Sequence, residues 1–213
     1  MAGIQVLTLY YAHDPMCSWC WAFRPTWDHI SGVLPGDIKV VRLLGGLAPD
    51  TDEPMPESLQ RMLQNTWRNI QARIPGTEFN FDFWSKCQPR RSTYPACRAV
   101  LAASQQGQEY HESMTEAIQQ AYYLQARNPS DDETLIALAE ELNLNVDRFS
   151  RALNSPQTRS EFDGDIALCR QLNIPGFPTL LLQDGGIIRR IPVEFNDRDF
   201  QLRLITEAAG VAA

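Results

Sequence analysis

The sequence predicts an α/β domain interrupted by an all-helical insertion. Three observations predict it. A β-rich apolar run near the N-terminus leads into a helical segment and then a second β-rich run. From Glu57 to Ser155 the chain carries helical spacing and almost no strand pattern. After that, two short apolar runs around a glycine turn bring the β pattern back.

The first run, Ile4 to Tyr11, is mostly apolar, as a central strand buried on both faces requires. Trp21 to Val33 reads as a helix ended by Leu34-Pro35-Gly36, with Pro25 expected to kink it. Ile38 to Leu44 is a second strand, stopped by Gly45-Gly46. Strand, helix and strand in this order give a parallel βαβ unit. Ala48 to Pro56, rich in proline and acids, reads as a loop.

The insertion follows. Leu59, Met62, Leu63, Trp67 and Ile70 recur at helical spacing over Glu57 to Arg73. Thr93 is placed to cap a helix from Tyr94 to Gln106, with Pro95 in its first turn. His111 to Gln125 is the next helix. Ser130 and Glu133 suggest a capping box on Asp131 to Leu142, and Val146 to Leu153 is a short helix. Gln157 to Asn173 is a helix with Phe162, Ile166, Cys169 and Leu172 on one face. Leu180 to Leu182 and Ile187 to Ile191 flank the hairpin signal Asp184-Gly185-Gly186, and Asp197 to Ala209 closes the chain. The expected division is residues 1–50 with 156–213 for the α/β domain, and 51–155 for the helical insertion.

Composition narrows the functional classes. A net charge of −7 without a basic stripe argues against nucleic-acid binding. No window has the apolar length of a membrane span. No signal peptide is visible, so a cytoplasmic location is expected. Five cysteines, an odd number, do not suit a static disulfide framework.

Cys17-Ser18-Trp19-Cys20 carries the chemistry. It falls between the first strand and the helix that begins near Trp21. Cys17 thus sits at a helix N-terminus, where free N–H groups and the helix dipole favour the thiolate, the nucleophile of disulfide exchange. Cys20, one turn on, is placed to resolve a mixed disulfide. A C-x-x-C can also be half of a zinc site, but no second C-x-x-C, C-x-x-H or H-x-x-x-H exists, so the remaining ligands would have to come from Cys87 and Cys97. No metal and no bound cofactor is expected.

Other side chains are weighed against packing. Trp19 faces the dithiol loop and is a candidate apolar rim for substrate, whereas Trp21 reads as packing. Cys169 reads as a buried apolar residue. Cys87 and Cys97 remain open as core, disulfide or resolving pair. His13 and Asp14, just before the motif, are candidates for tuning it. His29 and His111 read as surface or half-buried positions. Asp131, Asp132 and Glu133 complement a helix dipole.

The residues Asp14-Pro15-Met16-Cys17-Ser18-Trp19-Cys20-Trp21 and Gly176-Phe177-Pro178-Thr179 resemble the DsbA-like thioredoxin family, which includes FrnE-type proteins and the kappa-class glutathione transferases. Tyr94-Pro95-Ala96-Cys97-Arg98-Ala99 resembles the start of that family's insertion helix more weakly. The resemblance covers essentially the whole chain. It implies a thioredoxin fold with an all-helical insertion between βαβ and αββα halves, and a cis-Pro178 beside Cys17, with Phe177 and Pro178 positioning substrate through main-chain pairing. Two departures stand out. Trp19 takes the place of the histidine found between the cysteines of the most oxidising members. Tyr11 stands six positions before Cys17, where members often have an acid.

The expected function is thiol–disulfide oxidoreductase, in the oxidising, reducing or isomerising direction. Its partners are protein or peptide thiols and disulfides, with glutathione a candidate co-substrate. Two rivals stand beside it. One is a glutathione-dependent kappa-like transferase or isomerase, which usually keeps a serine at the first cysteine. The other is a non-enzymatic thioredoxin-fold adaptor or zinc-binding module.

Overall fold

The computed structural model describes residues 7–210. Its elements are β1 (Leu7–His13), α1 (Ser18–Val33), β2 (Ile38–Leu44), α2 (Glu57–Arg73), α3 (Phe83–Lys86), α4 (Tyr94–Ser104), α5 (Tyr110–Tyr123), α6 (Asp132–Glu141), α7 (Val146–Leu153), α8 (Pro156–Gln171), β3 (Thr179–Asp184), β4 (Ile187–Ile191) and α9 (Arg198–Ala209). The βαβ half, the helical insertion and the αββα half follow in the order the sequence predicts.

The four strands form one sheet in the order β2-β1-β3-β4. β1 pairs parallel with β2, from Leu7 opposite Ile38 to His13 opposite Leu44. It pairs antiparallel with β3, and β3 antiparallel with β4 across the Gly185–Gly186 turn, where Gly185 has φ +57°. The first strand runs two residues past its predicted end because Ala12 and His13 still find partners in Leu43 and Leu44. Of the predicted strand Ile4 to Tyr11, residues Ile4, Gln5 and Val6 lie outside the described residues.

Side-chain alternation sends one face of the sheet toward α1 and α9. There Leu9, Tyr11, Phe23, Trp27, Ile30, Leu180, Leu182 and Ile205 pack together. On the other face Ala12, Leu43 and Cys169 form a smaller cluster against which the Phe177 ring lies. The insertion has its own aromatic core around Trp67, Phe83, Tyr122 and Tyr123. That core is continuous with Met16, Ala22, Leu44 and Phe162 of the α/β half. Truncating a buried aromatic of this kind costs about 3–5 kcal/mol. The insertion is therefore packed hard against the segment that leads into α1.

Two caps differ from expectation. Thr93 precedes α4, but its side chain makes no cap bond: its oxygen accepts from Ala48 N–H and its proton goes to Asp14. Ser130 likewise does not cap α6: Asp131 is the boundary residue, and the Ser130 hydroxyl donates to the Ser92 carbonyl at 2.7 Å. Ser155 and Asn145, which the sequence reading passed over, do cap, accepting from Thr158 N–H and Arg148 N–H. The four-residue α3 was not anticipated either, being too short to show a helical period.

Candidate functional site

β1, α1, the β2–α2 loop, the start of α4 and the segment before β3 converge on the dithiol. Cys17 is the N-cap of α1: its backbone is extended, its N–H donates to the Asp14 carbonyl at 3.0 Å, and its own carbonyl accepts from Trp21 N–H at 3.0 Å. The α1 N-terminus thus begins at the sulfur-bearing residue, as the spacing predicts. Cys17 is nearly buried, and its thiol donates to the Phe177 carbonyl at 3.4 Å. That bond exists only while the sulfur holds its proton.

Cys20 is fully buried. Burial first, then its hydrogen bond with Cys17 and the nearby Cys17 and Asp14 charges, push its thiol well above the ordinary range. Cys20 is therefore held as a protonated thiol under Cys17, and needs a change at the site before it can attack.

Asp14 lies beside the pair with 0 % of its surface exposed. Met16 N–H donates to Oδ1 at 2.7 Å, while Leu47 N–H and the Thr93 hydroxyl each donate to Oδ2 at 2.7 Å. The Cys97 thiol adds a longer contact of 3.6 Å to Oδ2. Burial raises the Asp14 pKa against the downward pull of these bonds. Thr93 and Cys97 belong to the start of the insertion, so Asp14 ties the dithiol loop to α4. The Gly45-Gly46 turn supplies room for this: Gly46 has φ +61°, and a Cβ there would meet Tyr94 and Phe162 at 2.7 and 2.8 Å.

The remaining predicted residues fall as follows. Phe177–Pro178 is a cis peptide, and Trp19, Phe177 and Pro178 line one groove with Arg190, Val193 and Phe195, about 520 Å³ in volume. Trp19 is half-buried, its ring edge-on to Phe195 at 5.5 Å. Trp21 packs inward, stacked on Tyr123, with its indole N–H on the Glu78 carbonyl. His13 is buried but turned elsewhere. It stacks on Tyr11 and faces His111, with ring centroids 5.6 Å apart, and its pKa is lowered to about 3 by burial first and His111 next. Neither cysteine is among the groups that perturb it. Tyr11 is buried near Cys20 as a phenol pushed well above its ordinary range by burial.

All five cysteines are free thiols. Cys87 donates to the Ala126 carbonyl at 3.1 Å, while Cys97 is committed to Asp14, so the two serve different surroundings. Cys169 is buried behind Phe177, its thiol pushed up to about 12 by burial. Among the described residues, no group of three or more His, Cys, Asp or Glu side chains is placed to hold a metal ion. No described helix is long and apolar enough to cross a membrane.

Sequence reasoning missed three contributors. Trp67, read only as a core residue, donates its indole N–H to Ser18 Oγ at 3.0 Å, holding one of the two residues between the cysteines. Thr93, read as a cap, is an Asp14 partner. Gly45, read as a strand stop, lies under the Phe177 ring. Only the Gly45-Gly46 pair carried a local signal, since two consecutive glycines suggest a close approach of backbone.

The chain matches the family model described as Thioredoxin over residues 10–187. Among solved structures, it is similar to a candidate protein disulfide isomerase from Nitrosomonas europaea, at 25% identity and a TM-score of 0.82 over 96% of this chain and 98% of that one. It also shares its fold with the cytosolic disulfide reductase DsbM from Pseudomonas aeruginosa, at 23% identity and a TM-score of 0.77 over 96% of this chain and 100% of that one. DsbM is also known in a structure with GSH, which matches with a TM-score of 0.75. Among curated proteins, the ClpXP adapter protein SpxH of Bacillus subtilis is 23% identical over 175 residues, 82% of this chain and 57% of the relative. The chain thus spans less than three fifths of the length of that relative.

Proposed function

The chain belongs to the DsbA-like thioredoxin family, and we propose that it works as a thiol–disulfide oxidoreductase. The observation that carries this reading is Cys17, the N-cap residue of α1, whose thiol donates to the Phe177 carbonyl and lies within hydrogen-bond reach of the buried Cys20 thiol.

In the reducing direction, the Cys17 thiolate attacks one sulfur of a substrate disulfide. A Cys17–substrate disulfide forms, the substrate S–S bond breaks, and the departing sulfur leaves as a thiolate. Cys20 then loses its proton and attacks the Cys17 sulfur. A Cys17–Cys20 disulfide forms and the second substrate sulfur leaves with its electron pair. Two electrons pass from the dithiol to the substrate, and oxidation is the same sequence reversed. No bound cofactor is needed, because the electrons reside in the two sulfurs. Phe177, Pro178 and Trp19 receive the substrate in the groove. Glutathione as a co-substrate is part of the proposal, supported by the fold-related DsbM described with GSH. A cytosolic setting has the same support.

The kappa-like transferase reading is weaker because both Cys17 and Cys20 are present. The adaptor reading is kept alive by one observation, the likeness to SpxH. Two variants decide between them. Cys17→Ser should abolish reduction of an insulin-like disulfide, and Cys20→Ser should accumulate mixed disulfides, because attack occurs without resolution. Full activity in Cys17→Ser would overturn the dithiol reading. Equilibration with glutathione would then place the pair's potential and hence its direction.

A further inference from the structure

We propose that Gly45 is a positioning residue for exchange at Cys17, acting through the Phe177 ring. The proposal rests on the dithiol reading above. A Cβ on Gly45 would lie 1.7 Å from Phe177 Cζ, 2.0 Å from Cε1 and 2.7 Å from Cε2, far inside van der Waals contact. Gly45 is the seat on which that ring rests.

The seat is fixed from below. Gly45 N–H donates to the His13 carbonyl at 2.8 Å, and the preceding Leu44 N–H donates to Asp165 Oδ2 at 3.1 Å. The ring has little freedom on its inner side, where it lies against Ala12, Leu43 and Cys169. Its outer side borders the groove it shares with Trp19 and Pro178. The backbone of the same residue carries the carbonyl that accepts from the Cys17 thiol at 3.4 Å. A methyl group at position 45 therefore has two outlets. Either the ring swings into the groove and occupies the space meant for substrate, or the Phe177 backbone moves and carries its carbonyl away from Cys17. Both outlets strike a peptide substrate harder than a small disulfide, which uses less of the groove.

The test is a double-mutant cycle of Gly45→Ala and Phe177→Ala, with rates read on a peptide disulfide and on glutathione disulfide. Gly45→Ala in the natural background should lower kcat/KM for the peptide about tenfold or more, and for glutathione disulfide by less. In the Phe177→Ala background, the same Gly45→Ala change should alter either rate less than twofold, because the ring it collides with is gone. Gly164→Ala, where a Cβ meets nothing within 4 Å, should behave as the natural chain. A Gly45→Ala effect equal in the two backgrounds, or one below twofold in the natural background, overturns the proposal. If Gly45→Ala alone does not fold, the double variant is compared with Phe177→Ala, and a further loss of rate there overturns it equally. Failure of the dithiol reading is distinct: it would show as no Cys17-dependent exchange in the natural chain.

Discussion

His13 and Asp14 are neighbours in the chain, both buried, and buried in opposite ways. Asp14 leaves the end of β1 into the dithiol loop and accepts from two backbone N–H groups, one hydroxyl and, at longer range, a thiol. His13 is the last residue of β1 and stacks between Tyr11 and the helical insertion, and neither of its ring nitrogens bonds to any described residue. Both looked like candidates for tuning Cys17, being three and four positions away. What separates them is the supply of partners. A carboxylate beside the Gly45–Leu47 turn and the α4 start meets donors, whereas an imidazole beside Arg24, Arg42 and His111 meets mostly charge of its own sign. Closeness in sequence to a reactive motif does not put a side chain in its chemistry; the partners on arrival do.

Removing the satisfied member should have the largest effect. Asp14→Ala leaves Met16 N–H, Leu47 N–H and the Thr93 hydroxyl facing a buried gap. Each unpaired buried donor costs about 1–3 kcal/mol, partly offset by no longer burying a carboxylate. We expect a loss of about 3 kcal/mol in urea denaturation at neutral pH, together with slower Cys20 resolution as the loop loosens. Asp14→Asn, which keeps one acceptor oxygen, should fall in between. A stability within 0.5 kcal/mol of the natural chain, as is usual for an unremarkable surface change, would show that the donors find other partners.

The unsatisfied member should announce itself through pH. His13 has a folded pKa of about 3 and an ordinary value of 6.5, and the largely buried His111 has about 4, each lowered chiefly by burial. Below about 6.5 the unfolded chain takes up these protons and the folded chain does not. Stability is therefore full above that value and falls as pH drops toward the folded values, at about 1.4 kcal/mol per pH unit for each histidine. His13→Phe keeps a stacked ring and removes one of the two. Its stability at pH 7.5 should match the natural chain or exceed it, and its decline between pH 6.5 and 4 should be shallower by about one histidine's worth. Asp165, pushed up to about 6 by burial, works with the opposite sign, gaining stability as pH falls below about 6. It is present in both proteins and cancels in the comparison. Glu112 also faces this cluster; against the upward push of its burial, Arg42 and the other cations hold its carboxyl below the usual range. Equal slopes for the two proteins would mean that His13 is hydrated in solution.

What could be read from the sequence divides along the same line. Elements were legible because a period of two or 3.6 repeats within a few residues: β2, α2 and α7 fall on their predicted bounds. The placement of Cys17 at a helix start was legible for the same reason, being set by neighbours in the chain. The surroundings of Asp14 and Ser18 were not. Leu47, Thr93 and Trp67 lie 33, 79 and 49 residues from their partners, and nothing local marks them. Caps failed where a tertiary contact replaced the local one: the Thr93 oxygen accepts from Ala48 N–H rather than from an α4 N–H, and its proton goes to Asp14. His13 was misleading because its chain position said nothing of its burial, which chiefly sets its protonation, or of His111 beside it.

Thr93→Val is the smallest and sharpest change. It removes one donor to Asp14 Oδ2 and keeps the shape of the side chain, so Leu47 N–H and Met16 N–H still hold the carboxylate. A hydrogen bond to a charged group contributes about 1.5–3 kcal/mol, but the retained methyls replace some packing and the Ala48 N–H loses its acceptor at 3.1 Å. A net loss of about 1 kcal/mol is expected. The useful reading is the pairing with Asp14→Ala. If Thr93 acts through Asp14, the double variant should be no less stable than Asp14→Ala alone, because the hydroxyl that Asp14→Ala strands is then also gone. If the two losses simply add, Thr93 holds the start of α4 on its own account through Ala48, and Asp14 owes its place to the loop donors rather than to the insertion.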